Sequence, residues 1–165
     1  MKINIGREMR IEEVDPFEVI DFDEWQSMVD LLCRIANVKS AAITRLDMPF
    51  IEVFRVSNNE GNPLSQGMQV ELARHYCEEV IKTRERVFVR DARESNRWAN
   101  APEIEHSLVS YMGYPILLPD GNIFGTICIH DKKPNEYSDD IDQLIRSFQK
   151  IIESHFAIAR QAKEL

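Results

Sequence analysis

The stretch 109–131, VSYMGYPILLPDGNIFGTICIHD, decides the fold. Two apolar, β-rich runs flank Pro119-Asp120-Gly121-Asn122. Asp-Gly between such runs signals a tight hairpin, because the turn needs φ > 0 and glycine adopts it without strain. With Asp120 and Gly121 as a two-residue loop, Leu118 faces Ile123, Ile116 faces Gly125, Tyr114 faces Ile127 and Met112 faces Ile129. These pairs share one face, since side chains alternate with period two. The other face carries Leu117 with Phe124, Pro115 with Thr126, Gly113 with Cys128, and Tyr111 with His130. The first face is apolar throughout and suits packing by helices. The second is smaller and more polar, interrupted by Gly and Pro, and could line a cavity. Proline cannot donate to a ladder, so Pro115 could mark an edge or a bulge, and a bulge would exchange the faces beyond it.

The 165 residues suffice for one domain with a substantial core. Apolar content of 44% and charged content of 29% are those of a soluble globular protein. A net charge of −8 argues against general binding to nucleic acid or to acidic membranes, which needs a basic surface. The start, MKINIGREMRIEEVDP, has no apolar core of a secretory signal. No apolar run approaches the roughly 20 residues that span a bilayer. Cys33, Cys77 and Cys128 are widely spaced and odd in number, which fits reduced thiols in a cytoplasmic protein.

Residues 1–20 form an N-terminal arm without clear periodicity, whose Ile11, Val14, Phe17, Val19 and Ile20 could lie against the domain or a partner. A helix is expected over 22–36, capped by Asp21 with Glu24 as an acidic capping box, and stopped at Asn37. Its apolar stripe is Phe22, Trp25, Val29, Leu32 and Ile35. Strands are expected over 40–46 and 50–56, followed by a loop at 58–63. A second helix is expected over 70–83, with Val70, Ala73, Cys77, Val80 and Ile81 on its apolar stripe. Cys77 thus reads as a small core residue. A third strand over 86–90 leads into a long connection, 91–106, of the kind that forms lids and binding loops.

Ser138 caps a last helix whose first turn is acidic. In it Ile141, Leu144, Phe148, Ile151, His155, Ile158, Ala162 and Leu165 repeat with three-four spacing, a heptad seam widened by Ile145, Ile152 and Ala159. One side can pack on the sheet while Phe148, Ile151, His155 and Ile158 meet a partner helix, which makes a homodimer the favoured reading over simple core packing.

The order helix, two strands, helix, strand, long loop, hairpin, helix resembles the GAF domain. SYMGYPILLPDGNIFGTICIHD is similar to that family's central hairpin, and HYCEEVIKTRERVFVRDARESNRWANAP to its second helix, third strand and following loop. The resemblance is closest to GAF domains at the sensory end of bacterial histidine kinases and diguanylate cyclases. It implies an α+β fold: an antiparallel sheet of five or six strands, helices on one face, and loops or a short helix over a small-molecule pocket on the other. It also implies a domain over 21–160 that pairs through terminal helices, with 161–165 the end of the signalling helix. The effector, a kinase or cyclase, is expected elsewhere in a longer chain, because this one ends in mid-helix and contains no such domain.

Catalytic motifs are absent: no GxSxG, HExxH, CxxC or phosphate-cradling loop occurs. One branch of the family reduces free methionine sulfoxide with loop cysteines. Here the 91–107 connection has no Cys, and Cys33 and Cys77 map to helix faces, so a non-catalytic role is expected. Cys128, on the pocket face, is the one thiol placed to react, although packing is the preferred reading. No cysteine adjoins His106, so covalent tetrapyrrole attachment is not expected, and the sequence identifies no cofactor and no metal site. Candidate ligand contacts are Trp98, Tyr111, Thr126, Cys128, His106, Asp91 and Arg97. The basic run Lys82, Arg84, Arg86, Arg90, Arg93 and Arg97 could recognise an anion, but pairing with neighbouring acids is preferred. The expected function is a cytoplasmic sensory domain for an unidentified small molecule. A ligand-free dimerisation or protein-interaction module is the alternative, and a reductase the third reading.

Overall fold

Asp21 accepts a hydrogen bond from the Asp23 amide (3.0 Å) and opens α1 (Phe22–Ala36). Asn37, in the left-handed region, closes the helix as its sequence position implied. The expected capping box does not form: the Glu24 carboxylate lies 3.4 Å from His155 Nε2 of the last helix. The computed structural model describes residues 18–164, so Ile11, Val14, Phe17 and Leu165 lie outside the described residues. After α1 come β1 (Ser40–Asp47), β2 (Phe50–Val56), β3 (Gln69–Glu71), α2 (Tyr76–Thr83) and β4 (Val87–Val89). Two 3-10 turns, Ala92–Glu94 and Pro102–His106, break up the long connection. Then come β5 (Ser110–Leu117), β6 (Ile123–Asp131) and α3 (Asp139–Glu164). The strands form one antiparallel sheet in the order β3-β2-β1-β6-β5-β4, the α+β architecture expected.

β5 and β6 pair as read for Met112↔Ile129, Tyr114↔Ile127 and Ile116↔Gly125, and on the reverse for Tyr111↔His130, Gly113↔Cys128 and Pro115↔Thr126. Pro115 leaves the register intact. The irregularity falls one residue later, where Leu117 pairs with Ile123 instead of Phe124, and Leu118 drops out of the ladder. The Asp120 side chain accepts from the Asn122 amide (2.9 Å), an Asx turn that widens the loop beyond two residues. The Leu117 amide is taken by Glu153 Oε2 of α3 (2.8 Å). Gly125 is required at its position: a Cβ there would lie 2.6 Å from the Thr44 carbonyl carbon of β1.

Met112, Ile116, Ile127 and Ile129 pack with Ile43 of β1 against α1 and α3. Trp25 sits at the centre of this layer, edge-on to Phe22, Phe54, Phe124 and Phe156 with ring centroids 4.9–5.8 Å apart. Its indole N–H donates to His155 Nδ1 (2.9 Å). Each fully buried large side chain here contributes about 1.5–3 kcal/mol by removal from water.

Three expectations about the helices are corrected. Residues 69–71 are an edge strand, with Val70 opposite Ile51, and the second helix begins only at Tyr76. The Leu72 amide bonds the Pro49 carbonyl and Arg74 is left-handed, so the helix cannot extend back through Val70 and Ala73. In α1 the buried stripe is Trp25, Val29, Leu32 and Cys33, and Ile35 is exposed. In α3 the buried stripe is Ile145, Ile152, Phe156 and Ala159, three of them the residues that widen the seam. Ile151 and Ile158 are 40% and 61% exposed, Phe148 is half-buried, and His155 turns inward to Trp25 rather than outward to a partner.

Candidate functional site

The second face of the ribbon, with Tyr111, Thr126, Cys128 and His130, lies beneath α2 and the long connection. Gly113 shapes it. With no side chain opposite Cys128, the Tyr111 phenol folds back along the strand, and a Cβ on Gly113 would lie 2.5 Å from Tyr111 Cζ. The Tyr111 hydroxyl thereby reaches Cys77 Sγ of α2 (3.3 Å). Thr126 Oγ1 lies 3.5 Å from Cys77 Sγ, 3.9 Å from Cys128 Sγ and 2.6 Å from Thr44 Oγ1. Tyr76 packs on Tyr111 (5.1 Å) and on His130 (6.0 Å), and its hydroxyl donates to the Leu108 carbonyl (2.8 Å). Side chains therefore fill the space between α2 and the sheet, and Tyr111, Thr126 and Cys128 are fully buried.

This interior is polar and incompletely satisfied. The buried side-chain atoms without a hydrogen-bond partner among the described residues are Ser40 Oγ, His130 Nδ1 and Glu103 Oε1, and all lie on the α2 side. Ser40 and His130 are direct cross-strand neighbours. Glu103, from the second 3-10 turn, accepts the Tyr76 amide on Oε2 (2.7 Å). Its Oε1 lies 3.2 Å from His75 Nδ1, a contact that becomes an ion pair when the imidazole is protonated. Burial alone would lower the His75 pKa, but Glu103 outweighs it and the net direction is upward. Burial pushes His130 down to about 4, so its imidazole is neutral at pH 7. Hydrogen bonding from Cys128, against the opposing effect of burial and with help from Thr126 and Tyr111, holds the Cys77 thiol below its ordinary value. The same contact, with burial, drives Cys128 well above its own.

On the outer side of this wall lies a cleft of ≈ 300 Å³ lined by Arg74, His75, Glu78, Glu79, Arg97 and Trp98, among others. Trp98 stands edge-on to Tyr76 (5.5 Å) and carries the Arg97 guanidinium on its face (4.8 Å). Arg97 also pairs with Glu79 (2.6 Å).

Among the expected ligand contacts, the structure thus gathers Tyr111, Thr126 and Cys128 inside, and Arg97 and Trp98 at the cleft. Asp91 stands apart from both: it caps the first 3-10 turn, and Arg93, bonded to it at 2.8–2.9 Å, is the first cause holding its carboxyl below the usual range. His106 is exposed at the end of the second 3-10 turn, outside the cluster. The basic run pairs with acids, as in Lys82–Glu78, Arg90–Glu94 and Arg93–Asp91. His75, Tyr76 and Glu103 also belong to the site, and no sequence spacing signals a contact between 3-10 turn, helix and strand; His130 lies on the face where alternation places it, though it is not among the expected ligand contacts. Among the described residues no cluster of His, Cys, Asp and Glu is arranged to hold a metal ion. No helix among them is long and apolar enough to cross a membrane.

This architecture has known relatives. Residues 25–154 match the GAF domain family model. The chain therefore belongs to the GAF domain family, a family of sensory domains in signalling proteins. It is 20% identical over 145 residues to the diguanylate cyclase DgcP of Escherichia coli (strain K12), an alignment spanning 84% of this chain but only 42% of that protein. The fold is similar to the GAF domain of an Acinetobacter phosphoenolpyruvate-protein phosphotransferase, with TM-score 0.66, 18% identity, and coverage of 87% of this chain and 85% of that one. It is also similar to the free methionine-R-sulfoxide reductase of Neisseria meningitidis, solved with its substrate, with TM-score 0.68, 17% identity, and coverage of 92% and 87%.

Proposed function

We propose that this chain is a non-catalytic, cytoplasmic sensory domain that takes up a small polar molecule on the α2 side of its sheet and relays occupancy through paired α3 helices. The observation that carries this reading is the concentration of unsatisfied polar atoms there: Ser40 Oγ, His130 Nδ1 and Glu103 Oε1. On the opposite side the buried polar groups are paired, as in Ser110 with Tyr137 and Trp25 with His155. A buried polar atom left without a partner costs about 1–3 kcal/mol, so a molecule that hydrogen-bonds His130 Nδ1 and Ser40 Oγ gains about that much at each, while Glu103 Oε1, already facing His75 at 3.2 Å, has a lone pair left for a further donor. The cleft at Trp98 and His75 is the approach, separated from the interior by Tyr76 and Glu103. Exposed Ile151 and Ile158 offer the surface for a second copy. The shift in the helices can be no larger than the ligand's differential affinity for two states. Likeness to part of a diguanylate cyclase supports an effector, cyclase or kinase, elsewhere in a longer chain.

A second reading, a ligand-free interaction module, is favoured by the side chains that seal Tyr111, Thr126 and Cys128 under α2. Native mass spectrometry of protein purified from its own host separates the two. The sensory reading expects a bound small molecule that is lost in Glu103→Gln. Unliganded mass alone would favour the module.

A further inference from the structure

Cys77 and Cys128 come from different elements, α2 and β6, and their sulfurs share a neighbour in the interior, Thr126 Oγ1, at 3.5 Å and 3.9 Å. Cys33 lies in the other core layer, its thiol donating to the Val38 carbonyl (3.2 Å). The two partners are not equivalent. Cys77 retains 6% exposure and is surrounded by the hydroxyls of Tyr111 and Thr126, whereas Cys128 is wholly enclosed. Donors around a sulfur stabilise the thiolate, which is the reactive form toward oxidants.

We propose that Cys77 and Cys128 are a peroxide-oxidisable dithiol that closes to an intramolecular disulfide, tying α2 to the central strand of the sheet. A hydroperoxide is the oxidant, and it reaches the pair from the side of Cys77, the partner that retains exposure. The Cys77 thiolate attacks one peroxide oxygen and the O–O bond breaks. Cys77 becomes a sulfenic acid, and the departing hydroxide leaves as water with the thiol's proton. The Cys128 sulfur then attacks Cys77 sulfur, the S–O bond breaks, and a second water leaves with the Cys128 proton. Two thiols lose two electrons in total and one peroxide is reduced to two waters. The bond forms across the layer that α2 covers, so oxidation fixes the wall of the site described above.

The test treats the full chain with hydrogen peroxide under native conditions, follows intact mass, and maps disulfides on the denatured, alkylated product. The expected result is a loss of two hydrogen atoms, one Cys77–Cys128 bond per chain, and a free Cys33. Cys128→Ser is expected to stop at a Cys77 sulfenic acid that a cyclic 1,3-dione captures, and Cys77→Ser to yield no captured adduct at Cys128. Thiols that stay reduced while the protein remains folded, or a bond that involves Cys33, would overturn the proposal. So would oxidation that goes directly to sulfinic acid in the wild-type chain.

Discussion

Gly113→Ala tests whether Tyr111 fills the α2 side of the sheet. The new methyl carbon would meet the Tyr111 hydroxyl directly and lie 2.5 Å from Cζ and 2.8 Å from Cε1. Non-bonded carbons settle at roughly 3.5–4.0 Å, so the ring must retreat by about 1 Å. It has little room, with Tyr76 and His130 at ring distances of 5.1 Å and 5.0 Å and no exposed edge. Overpacking of this kind costs about 1–3 kcal/mol. Loss of the Tyr111–Cys77 contact adds roughly 0.5–1.5 kcal/mol. The expected destabilisation is therefore about 2–4 kcal/mol, or a fall in Tm on the order of 5–15 °C for a chain of this size. Urea unfolding monitored by circular dichroism measures it. Tyr111→Phe in the Gly113→Ala background removes the atom nearest the clash, so the double variant should recover part of the loss as a coupling between neighbours. A Gly113→Ala protein within about 0.5 kcal/mol of wild type, the range of neutral surface changes, would refute the placement of Tyr111.

Ile151→Glu and Ile158→Glu should leave unfolding unchanged yet turn a dimer into a monomer in light scattering, since both side chains are exposed in the single chain. Ile152→Ala, one residue along the same helix but fully buried, should instead cost about 2–5 kcal/mol in urea unfolding. His130 gives a pH signature. Its folded pKa of about 4 lies below the ordinary value of 6.5, so the unfolded chain binds the extra proton between those values and stability falls as pH drops through that window. Roughly 3 kcal/mol should disappear between pH 7 and pH 4, and the pH dependence of unfolding in His130→Gln should be flatter. For His75 the sign is opposite: its pKa is raised, so the stabilising contact with Glu103 is fully present below pH 6.5 and fades as pH rises through the folded value. Glu103→Gln should remove that dependence, measured by the same titration of unfolding free energy.

Period-two alternation places 111–116 and 125–130 on the faces observed, because Met112, Tyr114, Ile127 and Ile129 differ so clearly from Gly113, Thr126 and Cys128, but it fails beyond the irregularity at Leu117, where Phe124, expected on the second face, packs against Trp25 in the helical layer. Local chemistry at helix ends was equally legible at Asp21, Asn37 and Ser138, whose Oγ accepts the Ile141 amide (3.2 Å). What failed was long-range. Val70 continues an apolar period that suits a helix, but β2 offers it an unpaired edge, and tertiary pairing outweighs propensity over three residues. In α3 the apolar stripe is wide enough to hold two faces, and only contact with Trp25 decides that His155 turns inward while Ile158 does not. The site was half legible for the same reason. Residues on the strand follow from alternation, whereas Glu103 comes from the 91–106 connection and His75 from the cap of α2, positions that no periodicity brings together.

The proposed function requires the α2 side of the sheet to be an incomplete polar interior that a small molecule completes. A crystal structure of the protein from its own host at a resolution that shows ordered solvent and ligand tests it most directly. Non-protein density hydrogen-bonded to Glu103 Oε1 and His130 Nδ1 beside Ser40 is the expected result. Side chains that satisfy those three atoms among themselves, with nothing bound beneath α2, would contradict it.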